Sequence, residues 1–445
     1  MRAGAPDVKT PSTPGGAGLS TLAGHFRWRI CGLLFFVTTL IYLDRQVLGV
    51  LAPELQRVIG WNEIEYGNIV TAFQTAYALG LLLAGRFIDR AGTRVGYAIA
   101  IGLWTFATVG QSLARTVLVF AIARFFLGLA ESPNFPAAIK TVAEWFPRRE
   151  RALATGFFNS GANIGAIIAP ITAPWIAVNF GWPWAFVAMA GIGVVWIVLW
   201  LSVYRRPEEH PRVSAAELNY IRSEPEEASV VIPWSKLIPH RETWAFMIAK
   251  LLTDPVWWFF LYWLPKFLNT RYGVSLTALG WPLVIVYTMS MAGSIAGGWL
   301  SARLLKRGWS LNAARKTAML TCALTVLPIL FAATAKNFWV CVALVGLATA
   351  SHQGWSANLF TMASDLFPKR AVGSVVGIGG FGGAVGGMLI ATFTGFVLQL
   401  TGNYLPMFII AGSAYLLALA IVQILTPKLT PVKLDPTELG EPSRA

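Results

Sequence analysis

Long apolar stretches separated by short polar breaks follow one another from residue 28 to residue 426. A helix needs about 20 apolar residues to cross a hydrocarbon core about 30 Å thick, so each stretch suffices for one crossing. The pattern predicts twelve helices, spans 1 to 12, over residues 28–50, 64–87, 95–113, 117–141, 152–178, 184–204, 243–268, 280–302, 317–335, 338–363, 372–400 and 404–426. The longest polar interruption contains RRPEEHPRVSAAELNYIRSEPEEAS and divides the spans into two groups of six. The expected chain is an all-α membrane protein. It has a tail at 1–27, an N-terminal six-helix bundle at 28–204, a cytoplasmic linker with one short amphipathic helix at 205–242, a C-terminal bundle at 243–426 and a second tail at 427–445.

Composition supports lipid rather than water as the solvent. Apolar residues make up 56% of the chain and charged ones 13%, about half the usual share for a soluble domain. The first 27 residues are rich in Gly, Pro, Ser and Thr and have no apolar run before Ile30, which predicts a disordered tail rather than a signal peptide. Cys31, Cys322 and Cys341 fall in apolar segments with no metal or redox spacing, so they are expected to pack. His25, His210 and His240 lie in tail or linker segments, which leaves no metal or triad constellation; neither an enzyme nor a cofactor is expected.

A net charge of +14 raises the question of nucleic acid until the basic residues are placed on loops. With the N-terminus inside, the cytoplasmic side collects Arg86, Arg90, Arg94, Arg148, Arg149, Arg151, Arg205, Arg206, Arg303, Lys306, Arg307 and others, while the opposite side holds Arg57, Arg115, Lys266, Arg271 and Lys336. That asymmetry satisfies the positive-inside rule with both termini cytoplasmic, in an inner membrane, so no nucleic-acid partner is expected.

An internal repeat joins the two groups. Phe146-Pro147 recurs as Phe367-Pro368, and the same offset carries Gly156, Gly161 and Gly165 onto Gly377, Gly382 and Gly386. Small residues at such steps let helices approach closely, so spans 5 and 11 are expected to pack tightly in equivalent places. Transporters built from repeats hold their substrate near mid-membrane between the halves.

Few ionisable residues interrupt the spans: Asp44, Arg45, Arg124, Glu131, Lys250, Asp254 and His352. A charge at the bilayer centre costs about 2.5–3.5 kcal/mol on insertion scales, so each is expected to face water or a partner. Arg124 and Glu131 are seven residues apart, near two helical turns, and share a face with their heads about 10 Å apart, which calls for a group between them. Asp44 and Arg45 are adjacent and diverge around span 1, so they do not satisfy each other. Arginine offers a carboxylate two parallel charge-assisted hydrogen bonds, and an acid in a partly dry cavity can load and release a proton as access alternates. Tyr42, Gln74, Tyr77, Asn159, Asn163, Trp257, Trp258, Tyr262, His352, Gln353, Trp355 and Asn358 offer hydrogen bonds and aromatic faces to a small polar substrate. The alternative is that the charges are ion pairs holding spans 1 and 4 together, and the aromatic rings packing.

The string GRFIDRAGTR, with Gly85, Asp89, Arg90, Gly92 and Arg94, resembles the signature loop of the major facilitator superfamily. YLDR from Tyr42 to Arg45, RFFLGLAESPNFPAAIKTVAEWFP from Arg124 to Pro147, and SHQGWSANLFTMASDLFP from Ser351 to Pro368 are similar to the anion:cation symporter family, and within it to bacterial hexuronate transporters. The resemblance implies the major facilitator fold of two pseudo-symmetric six-helix bundles and proton-driven transport of a carboxylated substrate. It implies Arg45 as the substrate-carboxylate ligand, Asp44 and Glu131 as coupling acids with Arg124 near Glu131, and the signature loop as a gate pairing across the halves. A monomer carrying a hexuronate-like sugar acid with protons is the expectation. An aldonate, aldarate, tartrate or aromatic acid, or a non-transporting sensor of such an anion, are the alternatives. One proton per monoanion would draw on the pH gradient alone; two would also draw on the voltage, worth about 2.3 kcal/mol per charge per 100 mV.

Overall fold

The computed structural model describes residues 25–223 and 234–432; most of the two predicted tails and part of the linker lie outside the described residues. Twelve long helices are described: Phe26–Ile59, Glu63–Ala91, Thr93–Leu113, the broken pair Val117–Glu131 and Asn134–Trp145, Arg148–Phe180, Trp182–Val203, Arg241–Tyr272, Gly280–Lys306, Leu311–Val326, Phe338–Leu366, Lys369–Thr401 and Leu405–Leu425. They are spans 1 to 12 in order. The short linker helix is Ala215–Ile221.

Several helices outrun the apolar stretches that predicted them, because their polar end turns stay helical beyond the membrane core. Span 1 stops where Gly60 takes a left-handed φ of 80°, and span 2 starts on a capping box between Asn62 and Glu65. Two expectations of continuity are corrected. Span 4 breaks after Glu131 because Pro133 has no N–H to continue the ladder. Span 9 tightens into a 3-10 turn, Leu327–Phe331, around Pro328.

Ten of the helices are long and apolar enough to cross a membrane on that criterion alone; spans 3 and 10 are not among them. Their shortfall comes from polar side chains that point inward, Thr105, Thr108 and Gln111 on one and His352 and Asn358 on the other, all buried. The outer surface is the reverse. Phe106 is 78% exposed, Leu400 80% and Ile424 73%, which suits hydrocarbon and not water.

The packing repeats between halves. Span 1 lies on span 5 as span 7 lies on span 11, span 2 on span 4 as span 8 on span 10, and span 3 on span 6 as span 9 on span 12. The repeated glycines make these approaches. A Cβ at Gly165 would fall 2.8 Å from Leu43 N, and one at Gly386 2.7 Å from Pro255 Cγ; Gly161 and Gly382 are similarly filled by Thr39 and Met247. Gly156 departs from the expectation, having open space around it.

The halves meet along spans 2 and 11, 5 and 8, and 1 and 7. At the end away from the linker Lys266 binds Glu63 at 2.5 Å, Glu63 N donates to Gln399 Oε1, and Tyr66 Oη donates to the Tyr262 carbonyl. Gly67 and Gly395 let the backbones of spans 2 and 11 touch there. Nearer mid-depth Thr71 bonds Thr392 and Thr75 donates to Met388 Sδ. At the linker end Asp89 pairs instead with Lys140 of its own half at 2.7 Å.

Candidate substrate site

One turn of span 1 and the last two turns of the first segment of span 4 bring the charges together at mid-depth. Arg45 donates Nε to Glu131 Oε2 at 2.5 Å, with both side chains buried. The Arg45 guanidinium is surrounded by rings: Tyr77 at 4.7 Å, Tyr42 at 5.0 Å, and Phe73 and Trp258 each at 5.5 Å. Such faces attract a cation without consuming its hydrogen-bonding edge. Arg45 spends Nε on Glu131, and no hydrogen bond is described for its two Nη groups.

Asp44 turns the other way, as adjacent helix positions require. Its Oδ2 accepts from Trp104 Nε1 at 3.2 Å on span 3, with Thr108 Oγ1 at 3.5 Å. Arg124 donates Nη2 to Tyr262 Oη at 3.1 Å and lies over Phe73 at 4.5 Å. No described bond links Arg124 to Glu131: Glu131 is bound by Arg45 of span 1, and Arg124 by Tyr262 of span 7.

The site is rich in buried polar atoms with nothing to bind. They include Asp44 Oδ1, Glu131 Oε1, Arg124 Nε and Nη1, and both amide atoms of Gln74. A buried charged group without partners is expensive, so such a concentration marks a place that receives water or ligand. Trp258 and Gln74 both press on Gly387 of span 11, where a Cβ would fall 2.7 Å from the indole and 3.1 Å from the amide carbon.

The other candidate residues divide. On the second half Trp257 stacks on His352 at 5.4 Å, and His352 Nδ1 meets Tyr415 Oη at 2.7 Å. Asn358 donates its amide to the carbonyls of Gly297 and Gly354, tying span 10 to span 8, and Trp355 is fully buried. For Asn358 the donor expected for substrate is thus occupied by backbone. Gln353 and Asn163 are half-buried and Asn159 is exposed; no described bond ties them to the charges.

In the signature loop Gly92 takes φ 74°, which turns span 2 into span 3 and favours glycine, while Gly85 and Arg90 are exposed and Arg94 donates to the Leu201 carbonyl. Asp89 engages Lys140, a partner absent from the sequence reading. Trp104, Thr108 and Phe73 were also missed as site residues; isolated polar positions in the apolar span 3 were the available signal.

Matched six-helix halves enclosing buried, opposite charges at mid-depth define a polytopic membrane transporter and not an enzyme. The chain belongs to the Major Facilitator Superfamily, whose family model matches residues 34–361. It is 30% identical over 390 residues to a D-galactonate transporter of Escherichia coli O6:H1, covering 84% of this chain and 90% of that one. It is 29% identical to the hexuronate transporter of Escherichia coli K12, covering 89% and 93%, and 30% identical to a probable galactarate/D-glucarate transporter of Bacillus subtilis, covering 93% and 94%. Among solved structures it resembles an inward-facing bacterial homologue of the human lysosomal transporter Spinster, with a TM-score of 0.73, 15% identity and coverage of 94% and 99%. A D-xylose–proton symporter gives a TM-score of 0.69 at 15% identity, covering 92% and 100%.

Proposed function

We propose that this protein imports a sugar acid, hexuronate-like in size, by proton symport, working as a monomer in a bacterial inner membrane with both termini cytoplasmic. The observation that carries the reading is the buried Arg45–Glu131 pair with unpaired polar atoms around it. Arg45 can serve Glu131 or a substrate carboxylate, and taking the substrate strips Glu131 of its cation. A buried carboxylate left alone is costly, so Glu131 takes a proton as the substrate takes Arg45. Asp44 is a second acid in the same cluster, with Arg124 holding positive charge nearby.

The sugar would lie among Tyr42, Tyr77, Gln74 and Trp258, with Asn159 and Asn163 of span 5 on the opposing wall and Trp257, His352 and Gln353 behind. The Asp89–Lys140 pair within one half fits a signature latch that is open at the linker end while the far end is closed. That is the arrangement of a carrier facing the linker side, the cytoplasm. Uptake of labelled glucuronate and galactonate into proteoliposomes with an inward acid gradient tests the reading. Substrate uptake that collapses with the gradient supports it; uptake indifferent to the gradient, or no binding of any sugar acid, removes it. A carrier of another carboxylate is the second reading, supported by the D-galactonate and galactarate/D-glucarate names among the relatives.

A further inference from the structure

A second intramembrane ion pair lies outside the Arg45–Glu131 cluster. Lys250 Nζ binds Asp254 Oδ2 at 2.8 Å on span 7. Lys250, Asp254, Trp258 and Tyr262 succeed each other at four-residue steps, so they form one stripe along the helix. The stripe leads into the site: Tyr262 receives Arg124, and Trp258 lies over Arg45. Asp254 therefore sits about 6 Å along the axis from Trp258, toward the linker end, a distance comparable with a six-carbon chain.

The two charges are not equally available. The Lys250 ammonium is sheathed, with the Phe360 ring 4.7 Å away and a side chain 8% exposed, and its Cδ presses on Gly379. The Asp254 side chain is 20% exposed. Gly383 supplies its room, since a Cβ there would fall 2.9 Å from Asp254 Cγ, just as Gly387 one turn on makes room for Trp258. At this level of span 7 the more exposed of the two charges is the Asp254 carboxylate, held in place by Lys250.

We propose that Asp254 is a specificity-determining residue, which accepts hydrogen bonds from the hydroxylated end of the substrate and turns away a second carboxylate. The cargo is then a monocarboxylate polyhydroxy acid and not a dicarboxylate. Carboxylate oxygens accept paired hydroxyl donors well, and they repel another anion strongly where water is scarce. The six charges of the two clusters sum to zero, so one proton balances a monoanion, whereas a dianion needs two.

This inference rests on the sugar-acid reading above, and the test separates the two. Binding of D-galactonate and galactarate to purified full-length protein is measured at pH 7 by titration calorimetry, for wild type, Asp254→Asn and the double variant Lys250→Gln/Asp254→Asn. The double variant removes both charges together and so avoids leaving a buried lysine unpaired. Wild type is expected to prefer galactonate at least tenfold. Asp254→Asn should bring the ratio to parity or reverse it, by weakening galactonate and strengthening galactarate, and the double variant should fall between. Equal binding of the two acids by wild type, or an unchanged ratio in folded variants, overturns the role of Asp254 while leaving the sugar-acid reading intact. Failure of wild type to bind either acid or any uronate overturns both.

Discussion

Arg45 on span 1 and Glu131 on span 4 share a 2.5 Å hydrogen bond that is walled by Tyr42, Tyr77, Phe73 and Trp258. Each is the other's counter-charge in a place with little water, so neither can be changed alone without consequence. Truncating one member of a buried pair costs about 3–5 kcal/mol. Arg45→Ala is expected to lower thermal stability and to abolish the stabilisation by sugar acids that a thermal-shift screen detects in wild type. A variant that still responds to them removes Arg45 as the carboxylate ligand.

Glu131→Gln keeps the shape of the acid and fixes it in a form that resembles the protonated one. It should retain substrate exchange between the two sides of a vesicle and lose accumulation driven by a pH gradient, by at least ~tenfold. Exchange and driven uptake failing together would point to a structural role for Glu131.

If Asp44 loads a second proton, uptake of a monoanion moves net positive charge inward. Uptake should then rise with a valinomycin-imposed, inside-negative potential, and Asp44→Asn should remove that response while leaving the pH response. Indifference of the wild type to voltage limits coupling to one proton.

The far-end lock gives a conformational prediction. Glu63 receives Lys266 in a partly buried pair between the halves, and Gly67 and Gly395 close the backbones beside it. Lys266→Met should favour states open at that end. Maleimide labelling of a cysteine at Thr392, in a background without Cys31, Cys322 and Cys341, should quicken several-fold. An unaltered rate shows that the lock does not govern the closure.

Gly165→Leu places a branched side chain where Leu43 N leaves no room for a Cβ. Overpacking of this kind costs about 1–3 kcal/mol, so the melting temperature should drop. The same change at Gly156, with open space around it, should leave stability near that of wild type.

Much of this was legible in the chain. Twelve spans, their division by the linker and the equivalence of spans 5 and 11 follow from hydropathy and from repeated glycines, because lipid punishes an uncovered polar backbone so severely that few patterns survive. Intramembrane charges are as readable: Asp44, Arg45, Arg124 and Glu131 had to be inward, and they are buried. What composition does not encode is which charge meets which. Glu131 bonds across helices to Arg45, a choice set by the crossing of spans 1 and 4, and Trp104 reaches Asp44 from a helix whose polar content looked incidental. Asn358 shows the same point, with its amide on backbone and its buried Oδ1 without a described partner. A polar residue in a span signals a partner, and in this case the partner is backbone at the close approach of Gly297 and Gly354.

Gly387 leaves span 11 bare where it rests on Trp258 of its own half and on Gln74 of the other. With no side chain there, the two halves meet at the depth of the charges through an indole, an amide and bare main chain. A methyl group at Gly387 would push into both the indole and the amide, and so into the ring that lies against Arg45.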